Sequence, residues 1–427
     1  MRQSIHAVTS PIEARVVIPG SKSITNRALL LAALADGVSE LCDMLISDDT
    51  LAFVNALRQL GISIQVDAEK HSCIVAGGQG SFPKKNATIW CADAGTVLRF
   101  LLAACSIAPG TYEFDGSEQL RQRPIAALLR TLCSQGATIQ PEYAEKMPFT
   151  LLGSEGLLGG EIEVDDSETS QFLSGLLMAA PFAKTPVVLK TKNLGMHSYV
   201  SMTCTMMADF GVLVRRMHHG SYRVLSPQRY MARDYRIEPD LSTASYFFAA
   251  AAVTGGTVTI QAIDRRNSLQ GDIKFLSTLE KMGCDVIEKA DGLTVKGPAV
   301  LQGVSVDMRD FSDTFMTLAA IAAFAETPTI ITNIGHTRLQ ESNRITVMRK
   351  NLENLHIKVE EGDDWIKVYP SIPVAGVVDS HHDHRVAMAC SLIGLRVPGI
   401  EIDDAECVAK TCPEFFTMWE SLNKRIN

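Results

Sequence analysis

The sequence lacks the closely spaced cysteines of a zinc site or a disulfide scaffold. Its ten cysteines are scattered along 427 residues, with no C-x-x-C pair and no regular framework. Both kinds of site depend on short, recurring cysteine spacings. The distribution therefore indicates inert thiols in a reducing compartment, and the predicted location is cytoplasmic.

Signals for export and for membrane insertion are also missing. Residues 1–20 contain no charged segment followed by an apolar run, so no signal peptide is predicted. The longest apolar runs, such as 315–325, fall well short of a membrane span. An excess of positive charge is absent too, because the formal net charge is −8. Neither nucleic acid nor an acidic membrane is therefore expected as the main partner, whereas small anions in a local basic cleft agree with the charge.

One unit recurs along almost the whole chain. A helix, a cap residue and an alternating strand follow one another five times, and a sixth helix is predicted at 413–422. The caps are 72 to 75 residues apart: Gly61, Gly136, Gly211, Gly283 and His356. Such a period is typical of repeat proteins, and it predicts six β/α units divided three and three between two pseudo-symmetric halves.

Each unit also contains a second helix that is apolar nearly all round, which predicts that it is buried. The predicted spans are 28–35, 98–108, 172–180, 246–253, 314–325 and 386–395. We therefore expect an α/β fold with strands outside and apolar helices inside. A cleft between the two halves would be the natural ligand site.

Polar residues that break the apolar pattern gather near helix starts. The first example is the strand–turn–helix 15–30, which is not a nucleotide P-loop because Ser21 stands where glycine is required. Cations at helix starts oppose the helix dipole, so a ligand with several negative charges is predicted. The alternative interpretation is that these residues are ordinary helix caps whose charges are exposed to solvent. The candidates are Lys22, Ser23, Arg27, Asp93, Gly95, Thr96, Arg123, Thr169, Ser170, Gln171, Arg344, His384, Arg385 and Lys410.

Two carboxylates stand among these cations. Asp313 and Glu341 should be ionised there, and Asp313 could accept a proton from a substrate hydroxyl. The alternative role for Asp313 is to cap the helix that begins at Thr314. A metal site at His381, His382 and His384 is rejected, because adjacent histidines cannot easily face one ion and Arg385 would repel a cation.

The chain resembles the 5-enolpyruvylshikimate-3-phosphate synthase family along its whole length. The strings that carry the likeness are PGSKSITNRALLLAALA, DAGTVLRF, QRPIAALLR, ETSQFLSGLLMAAP, NSLQGDIKFLSTLEKMG, QESNRI, DHRVAMA and AKTCPEFF. The resemblance implies an inside-out α/β barrel of two domains, 21–238 and 1–20 plus 239–427, with the active site in the interdomain cleft. It also implies a cytoplasmic monomer of the shikimate pathway that uses neither metal nor organic cofactor.

The reaction implied is transfer of the enolpyruvyl group of phosphoenolpyruvate to the 5-hydroxyl of shikimate 3-phosphate, with release of phosphate. Asp313 would be the base, and Lys22 or Glu341 would handle the methyl proton. Asp93, Thr96 and His384 would support the site. Shikimate 3-phosphate would contact Lys22, Ser23, Arg27, Thr169, Ser170, Gln171, Tyr199, Asp313 and Gln340. Phosphoenolpyruvate would contact Lys22, Gly95, Arg123, Gln171, Arg344, Arg385 and Lys410.

The chain departs from the family pattern at Met196, His336, Gln340, Asp93 and Phe100. The first four lie on or near the shikimate-phosphate side of the expected site. Two alternative functions therefore stay open at this point: the sister transferase that acts on UDP-N-acetylglucosamine, and a non-catalytic anion-binding paralogue. The sister enzyme carries a reactive cysteine in the loop that corresponds to 112–122, and this loop has none.

Overall fold

The computed structural model describes residues 1–142, 144–191, 197–218 and 220–422. The departure at Met196 lies outside these residues. The chain divides into two units. The terminal unit comprises Met1–Pro19 and Glu238–Asn427, and the central unit comprises Gly20–Ile237. Each boundary lies one residue before the one expected from the family resemblance.

The helices follow the repeat. They are α1 (Lys22–Leu34), α2 (Asp48–Gln59), α3 (Gly95–Ser106), α4 (Glu118–Arg121), α5 (Ala126–Ser134), α6 (Gln171–Ala179), α7 (His197–Asp209), α8 (Leu241–Thr254), α9 (Lys274–Lys281), α10 (Phe315–Ala322), α11 (Arg344–Asn354), α12 (His384–Gly394) and α13 (Phe415–Ser421). Short 3-10 turns are Ala180–Phe182, Gly271–Ile273, Arg309–Thr314, Gly335–Leu339 and Ala405–Lys410. No helix in the described part of the chain is both long enough and apolar enough to span a bilayer.

The strands are short and lie between these helices. They are β1 (Gln3–Ile5), β2 (Glu13–Val16), β3 (Val38–Cys42), β4 (Ser63–Asp67), β5 (Ser72–Ala76), β6 (Asn86–Trp90), β7 (Gly110–Asp115), β8 (Thr138–Gln140), β9 (Phe149–Gly153), β10 (Gly160–Val164), β11 (Val187–Thr191), β12 (Val214–Arg216), β13 (Ser221–Val224), β14 (Tyr235–Arg236), β15 (Thr257–Gln261), β16 (Asp285–Lys289), β17 (Gly292–Lys296), β18 (Ser305–Asp307), β19 (Thr329–Thr332), β20 (Val359–Glu361), β21 (Ile366–Val368), β22 (Gly376–Asp379) and β23 (Ile400–Asp403).

Within the described residues the strands form five four-stranded sheets and one three-stranded sheet. In a typical sheet the strand before a buried helix pairs in parallel with the strand after it, as β6 does with β7 (Asn86↔Thr111). The later strand then pairs antiparallel with a hairpin, here β9 and β8. Because parallel neighbours need a crossover, the buried helix provides the connection. The predicted α/β fold of six repeated units is confirmed.

Two strands are exchanged where the chain enters and leaves the central unit. Strand β2 precedes α1 but pairs in parallel with β15 of the terminal unit (Thr257↔Glu13). Strand β14 precedes α8 but pairs in parallel with β3 of the central unit (Tyr235↔Leu41). Strand β1 is antiparallel to β23 and provides the partner that a hairpin provides in the other sheets.

The apolar helices form the core of each unit. In the terminal unit α8, α10 and α12 pack on one another, and in the central unit α3 packs on α1 and α6. The predicted spans 28–35 and 246–253 began too late, because α1 starts at Lys22 and α8 at Leu241. Polar residues near the start of these helices, such as Asn26 and Ser242, are also buried, so the apolar run alone does not mark where the helix begins. The predicted span 314–325 was too long, since α10 ends at Ala322.

All five predicted caps adopt a left-handed conformation, with φ of 90° at Gly61, 98° at Gly136, 90° at Gly211, 98° at Gly283 and 62° at His356. The backbone bonds around Gly61 show how the cap ends a helix. Gly61 N donates to Arg58 O (3.0 Å) and Ile62 N donates to Leu57 O (3.0 Å). This Schellman pattern satisfies carbonyls that the helix end would otherwise leave unpaired.

Candidate active site

Lys22 is the first residue of α1 and lies beside an acidic side chain of the same unit. Its Nζ is 3.3 Å from Oδ2 of Asp49, in the first turn of α2, and both side chains are largely buried. Because a lysine at a helix start opposes the dipole, a negative charge nearby is required. The sequence argument assigned that charge wholly to a ligand, which was wrong: Asp49 contributes part of it.

Arg27 is held inside the central unit by neutral groups. Its Nε donates to Thr203 Oγ1 (2.7 Å), its Nη1 to the Ser23 carbonyl (3.0 Å), and its Nη2 to Ser174 Oγ (3.3 Å) and the Tyr199 carbonyl (3.4 Å). Burial lowers the pKa of Arg27 to about 10, and no described carboxylate offsets that effect. A buried guanidinium with neutral partners gains strongly from an anionic ligand, because such a ligand replaces the lost solvation.

Gly95 begins α3 and brings its backbone close to two arginines. A Cβ added at Gly95 would lie 3.0 Å from Cζ of Arg123 and 3.1 Å from Nη1 of Arg99. An alanine there would have to displace these guanidinium groups. The interpretation that Gly95 keeps space open near a bound anion is consistent with this geometry, since both neighbours of that space are cations.

Side-chain hydrogen bonds join the starts of α1, α3 and α6. Asn26 Nδ2 donates to Thr96 Oγ1 (2.7 Å), and Arg99 Nη1 donates to Gln171 Oε1 (2.8 Å). Arg99 is buried; the sequence shows it as a polar residue one turn after Thr96, but no role in the site was predicted for it. The signal that could have identified it is an arginine within an otherwise apolar, buried helix.

Thr169, Ser170 and Gln171 lie at the start of α6. Thr169 Oγ1 accepts a hydrogen bond from Gln171 N (3.2 Å), and buried Ser170 is the N-cap of α6. The Ser170 hydroxyl makes no capping bond.

The next two candidates are Asp93, just before α3, and Arg123, before α5. Asp93 accepts a hydrogen bond from Ser117, the N-cap of α4, which fixes its carboxylate beside the start of α3. Pro124 does not occupy the first position of a helix. Helix α5 begins at Ala126 with Ile125 as its N-cap, so Arg123 lies in the turn before the helix.

Arg344 is the centre of the site in the terminal unit. It begins α11, is 1% exposed, and uses every guanidinium nitrogen. Its Nε lies 2.8 Å from Asp383 Oδ2, its Nη2 2.8 Å from Glu341 Oε2, and its Nη1 3.1 Å from Asp313 Oδ1. Its Nη1 also donates to Gln340 Oε1. Burial alone would lower the pKa of Arg344, but the carboxylates of Asp383, Glu341 and Asp313 outweigh burial and raise it.

Asp313 bridges two arginines. One carboxylate oxygen is 3.1 Å from Arg344 Nη1, and the other is 2.9 Å from Arg385 Nη2. The alternative that Asp313 caps a helix is wrong, because it lies inside the 3-10 turn Arg309–Thr314 and Thr314 is the N-cap of α10.

His336 lies close to this turn, since the Ser312 hydroxyl is 2.8 Å from His336 Nε2. Burial is the main cause that lowers the pKa of His336 to about 4, so the ring is neutral near pH 7.

The start of α12 is built around Asp383, the N-cap. Its Oδ1 accepts a hydrogen bond from the backbone Arg385 N (3.0 Å) while its Oδ2 accepts from Arg344 Nε, so one carboxylate caps α12 and orients the Arg344 guanidinium. His384 follows as the first, fully buried residue of α12, and Lys410 is buried at the end of the turn Ala405–Lys410. Asp383 was not predicted as a site residue, because its bond with Arg344 joins residues 39 positions apart in the chain.

Each unit thus has its own cluster of buried cations at helix starts. Such clusters can bind phosphate or carboxylate groups, and the carboxylate of Asp313, fixed between two cations, can act as a base. Among the described residues, no group of three histidine, cysteine, aspartate or glutamate side chains is arranged to hold a metal ion.

The fold and these clusters define a class, the transferases with the enolpyruvyl transferase fold. The solved structure of the enolpyruvyl transferase NikO from Streptomyces tendae matches with a TM-score of 0.78 at 19% identity, over 98% of this chain and 96% of that chain. A structure of EPSP synthase from Acinetobacter baumannii matches with a TM-score of 0.82 at 25% identity, over 99% of this chain and 98% of that one.

The sequence comparisons are more specific. The family model for EPSP synthase (3-phosphoshikimate 1-carboxyvinyltransferase) matches residues 7–419. A 3-phosphoshikimate 1-carboxyvinyltransferase of a Nostoc species is 45% identical over 416 residues, which are 97% of each chain. The chain therefore belongs to the EPSP synthase family.

Proposed function

We propose that this protein transfers the enolpyruvyl group of phosphoenolpyruvate to the 5-hydroxyl of shikimate 3-phosphate and releases inorganic phosphate. Family membership and the 45% identity to a carboxyvinyltransferase of that name support the substrates. The structural observation that supports the proposal is the position of the Asp313 carboxylate. Its Oδ1 lies 3.1 Å from Arg344 Nη1 and its Oδ2 lies 2.9 Å from Arg385 Nη2.

In the proposed reaction the 5-hydroxyl oxygen attacks C2 of phosphoenolpyruvate while Asp313 accepts the hydroxyl proton. An acid protonates the methylene carbon, which gives a tetrahedral intermediate. The C2–O bond to phosphate then breaks as one methyl proton is removed, and the enol ether forms. We propose Lys22 and Glu341 for these two proton transfers at carbon, without assigning one step to each.

The buried cations would bind the negative groups of the two substrates. Arg27, Ser23 and Tyr199 are proposed for the shikimate carboxylate and ring, and Ser170 with Thr169 for the 3-phosphate. The proposed partners of phosphoenolpyruvate are Lys22, Gly95, Arg123, Gln171, Arg344, Arg385 and Lys410. Arg344 already uses all its donors within the protein, so binding through it requires that an anion of the substrate replaces one of its present partners, Gln340 or a carboxylate.

Gln340 is proposed to act through Arg344 as well as on the shikimate-phosphate side. Its amide oxygen accepts a hydrogen bond from Arg344 Nη1. By the family resemblance a lysine is usual at this position, so the neutral amide of Gln340 carries one positive charge less. The protein is further proposed to act as a cytoplasmic monomer on small molecules, in keeping with its net charge of −8 and its free cysteines.

Phosphate release from purified protein tests the function. We expect release only when phosphoenolpyruvate and shikimate 3-phosphate are both present, and not when UDP-N-acetylglucosamine replaces the shikimate ester. Release with the sugar nucleotide would favour the sister transferase. Binding of phosphoenolpyruvate without turnover under any condition would favour a non-catalytic paralogue.

A further inference from the structure

The string NSLQGDI (267–273) belongs to the family resemblance but has no role in the proposed reaction. It leads into the 3-10 turn Gly271–Ile273, and the structure anchors it at Gln270. Gln270 Nε2 donates to the Pro239 carbonyl (2.8 Å), and its Oε1 accepts from Leu241 N (2.9 Å). Asp272 is thereby fixed next to the start of α8.

The same turn packs on the turn that carries Asp313. Lys274 Nζ and Asp310 Oδ2, 2.8 Å apart, join the two turns at the surface. Asp272 lies between the two anchors, Gln270 and Lys274, and its side chain is 5% exposed. Its position is therefore set by the fold, independently of any ligand.

The carboxyl group of Asp272 has an unusual environment. Among the described residues, its buried Oδ1 finds no hydrogen-bond donor. The charged groups that face it are Asp313 from the 309–314 turn, Asp240 at the start of α8, and Arg385 from α12. A buried carboxylate oxygen without a donor is costly, so the neutral acid is favoured. The pKa of Asp272 is raised to about 7: burial is the main cause, Asp313 and Asp240 act in the same direction, and Arg385 opposes them.

We propose that Asp272 is a positioning residue that works in its protonated form, so that the charge of Arg385 is left to Asp313 and to the incoming anion. This inference rests on the proposed function. When Asp272 loses its proton to solvent, a second carboxylate competes for Arg385. The contact of 2.9 Å between Arg385 and Asp313 then weakens, and the added negative charge repels phosphoenolpyruvate. The KM for phosphoenolpyruvate should rise with pH while kcat changes less.

The test compares the pH dependence of KM and kcat in the wild type, Asp272→Asn and the control Asp285→Asn. Asparagine keeps the shape and cannot ionise, while Asp285 is an exposed carboxylate of the same unit. In the wild type we expect KM for phosphoenolpyruvate to rise roughly tenfold between pH 6.5 and 8.5, as one ionisation near neutrality predicts. Asp272→Asn should flatten this rise and keep kcat at pH 6.5 within about threefold, and Asp285→Asn should retain it.

Three results would overturn the inference. The first is a KM of the wild type that does not change with pH, and the second is an unchanged rise in Asp272→Asn. If that variant does not fold, Asp272→Glu keeps an ionisable group at a different distance and should shift the midpoint of the rise; an unshifted midpoint is the third. Absence of turnover in the wild type at every pH is a separate outcome, which overturns the proposed function and this inference with it.

Discussion

Arg27 and Arg344 are both buried guanidinium groups at the start of a helix, yet the two units stabilise them in opposite ways. In the central unit Arg27 has hydroxyl and carbonyl partners and lies 5.1 Å from the centroid of the Phe100 ring. In the terminal unit Arg344 contacts the carboxylates of Asp313, Glu341 and Asp383. Accordingly, the pKa of Arg27 is lowered to about 10 and that of Arg344 is raised.

If the proposed function is right, this difference means that the two arginines accept a substrate anion in different ways. Arg27 keeps its positive charge uncompensated, so an anionic ligand can supply the missing partner. The charge of Arg344 is neutralised by the carboxylates of Asp313, Glu341 and Asp383, and its guanidinium group orients them. Removing one partner from a buried ion pair is costly, whereas removing a cation held by neutral groups costs less. The predictions below test this contrast, beginning with the largest effect.

Replacing Asp313 with alanine removes the carboxylate that joins Arg344 to Arg385. We expect turnover, measured as phosphate release, to fall by about 10² to 10⁴, as for a lost general base. The control is Asp285→Ala, because Asp285 is an exposed carboxylate of the same unit that lies outside both turns. It should change turnover by about twofold or less. If Asp313→Ala retains more than about a tenth of the activity, Asp313 is not the base.

Replacing each arginine with glutamine compares the two units directly. Arg344→Gln leaves three carboxylates near a neutral amide and should lower the free energy of unfolding by about 3–5 kcal/mol. Arg27→Gln removes a buried cation with neutral partners and should cost less, about 1–2 kcal/mol, because the amide replaces only part of its hydrogen bonds. Urea unfolding of both variants measures the difference. Equal losses would show that the carboxylates do not distinguish the two sites.

Acid should destabilise the protein partly through His336. In the folded state the pKa of this histidine is lowered to about 4 by burial, whereas an unfolded histidine titrates near 6.5. The unfolded chain therefore binds more protons between these values, and stability is lost as the pH falls through that interval. At 1.36 kcal/mol per pKa unit, the difference between about 4 and 6.5 corresponds to roughly 3–4 kcal/mol.

His336→Asn removes this proton-binding group and should lose less stability between pH 6.5 and pH 4 than the wild type. Urea midpoints at both pH values measure the loss. The control is His71→Asn, at an exposed histidine, which should behave as the wild type does. An identical pH dependence in His336→Asn would mean that the ring is protonated in the folded protein.

Features that depend on local sequence could be predicted. The caps Gly61 and Gly136 follow from the left-handed conformation that ends a helix, and the buried helices follow from their apolar runs. The cationic residues at helix starts were identified because they oppose the dipole.

Features that depend on distant partners could not be predicted. The burial of Asn26 and Arg27 follows from hydrogen bonds to Thr96 and Thr203, which are far away in the chain. The sequence could not show that Asp383 would neutralise Arg344 across 39 residues. Nor could it show that β2 and β14 exchange sheets, because pairing depends on the tertiary course of the chain.

The smallest expected effect concerns two helix caps, a glycine at 136 in the central unit and a histidine at 356 in the terminal unit. Gly136 in the central unit and His356 in the terminal unit are both exposed and both left-handed, with φ of 98° and 62°. A Cβ at Gly136 would have Leu158 Cγ at 3.7 Å as its nearest neighbour, so Gly136→Ala tests backbone conformation without a clash. We expect it to lower the free energy of unfolding by about 1 kcal/mol, and His356→Gly to raise it by up to about 1 kcal/mol. Urea midpoints of the two variants measure both changes. A less stable His356→Gly would mean that contacts of the imidazole outweigh the backbone cost, and the terminal unit would then use this position for packing as well as for capping.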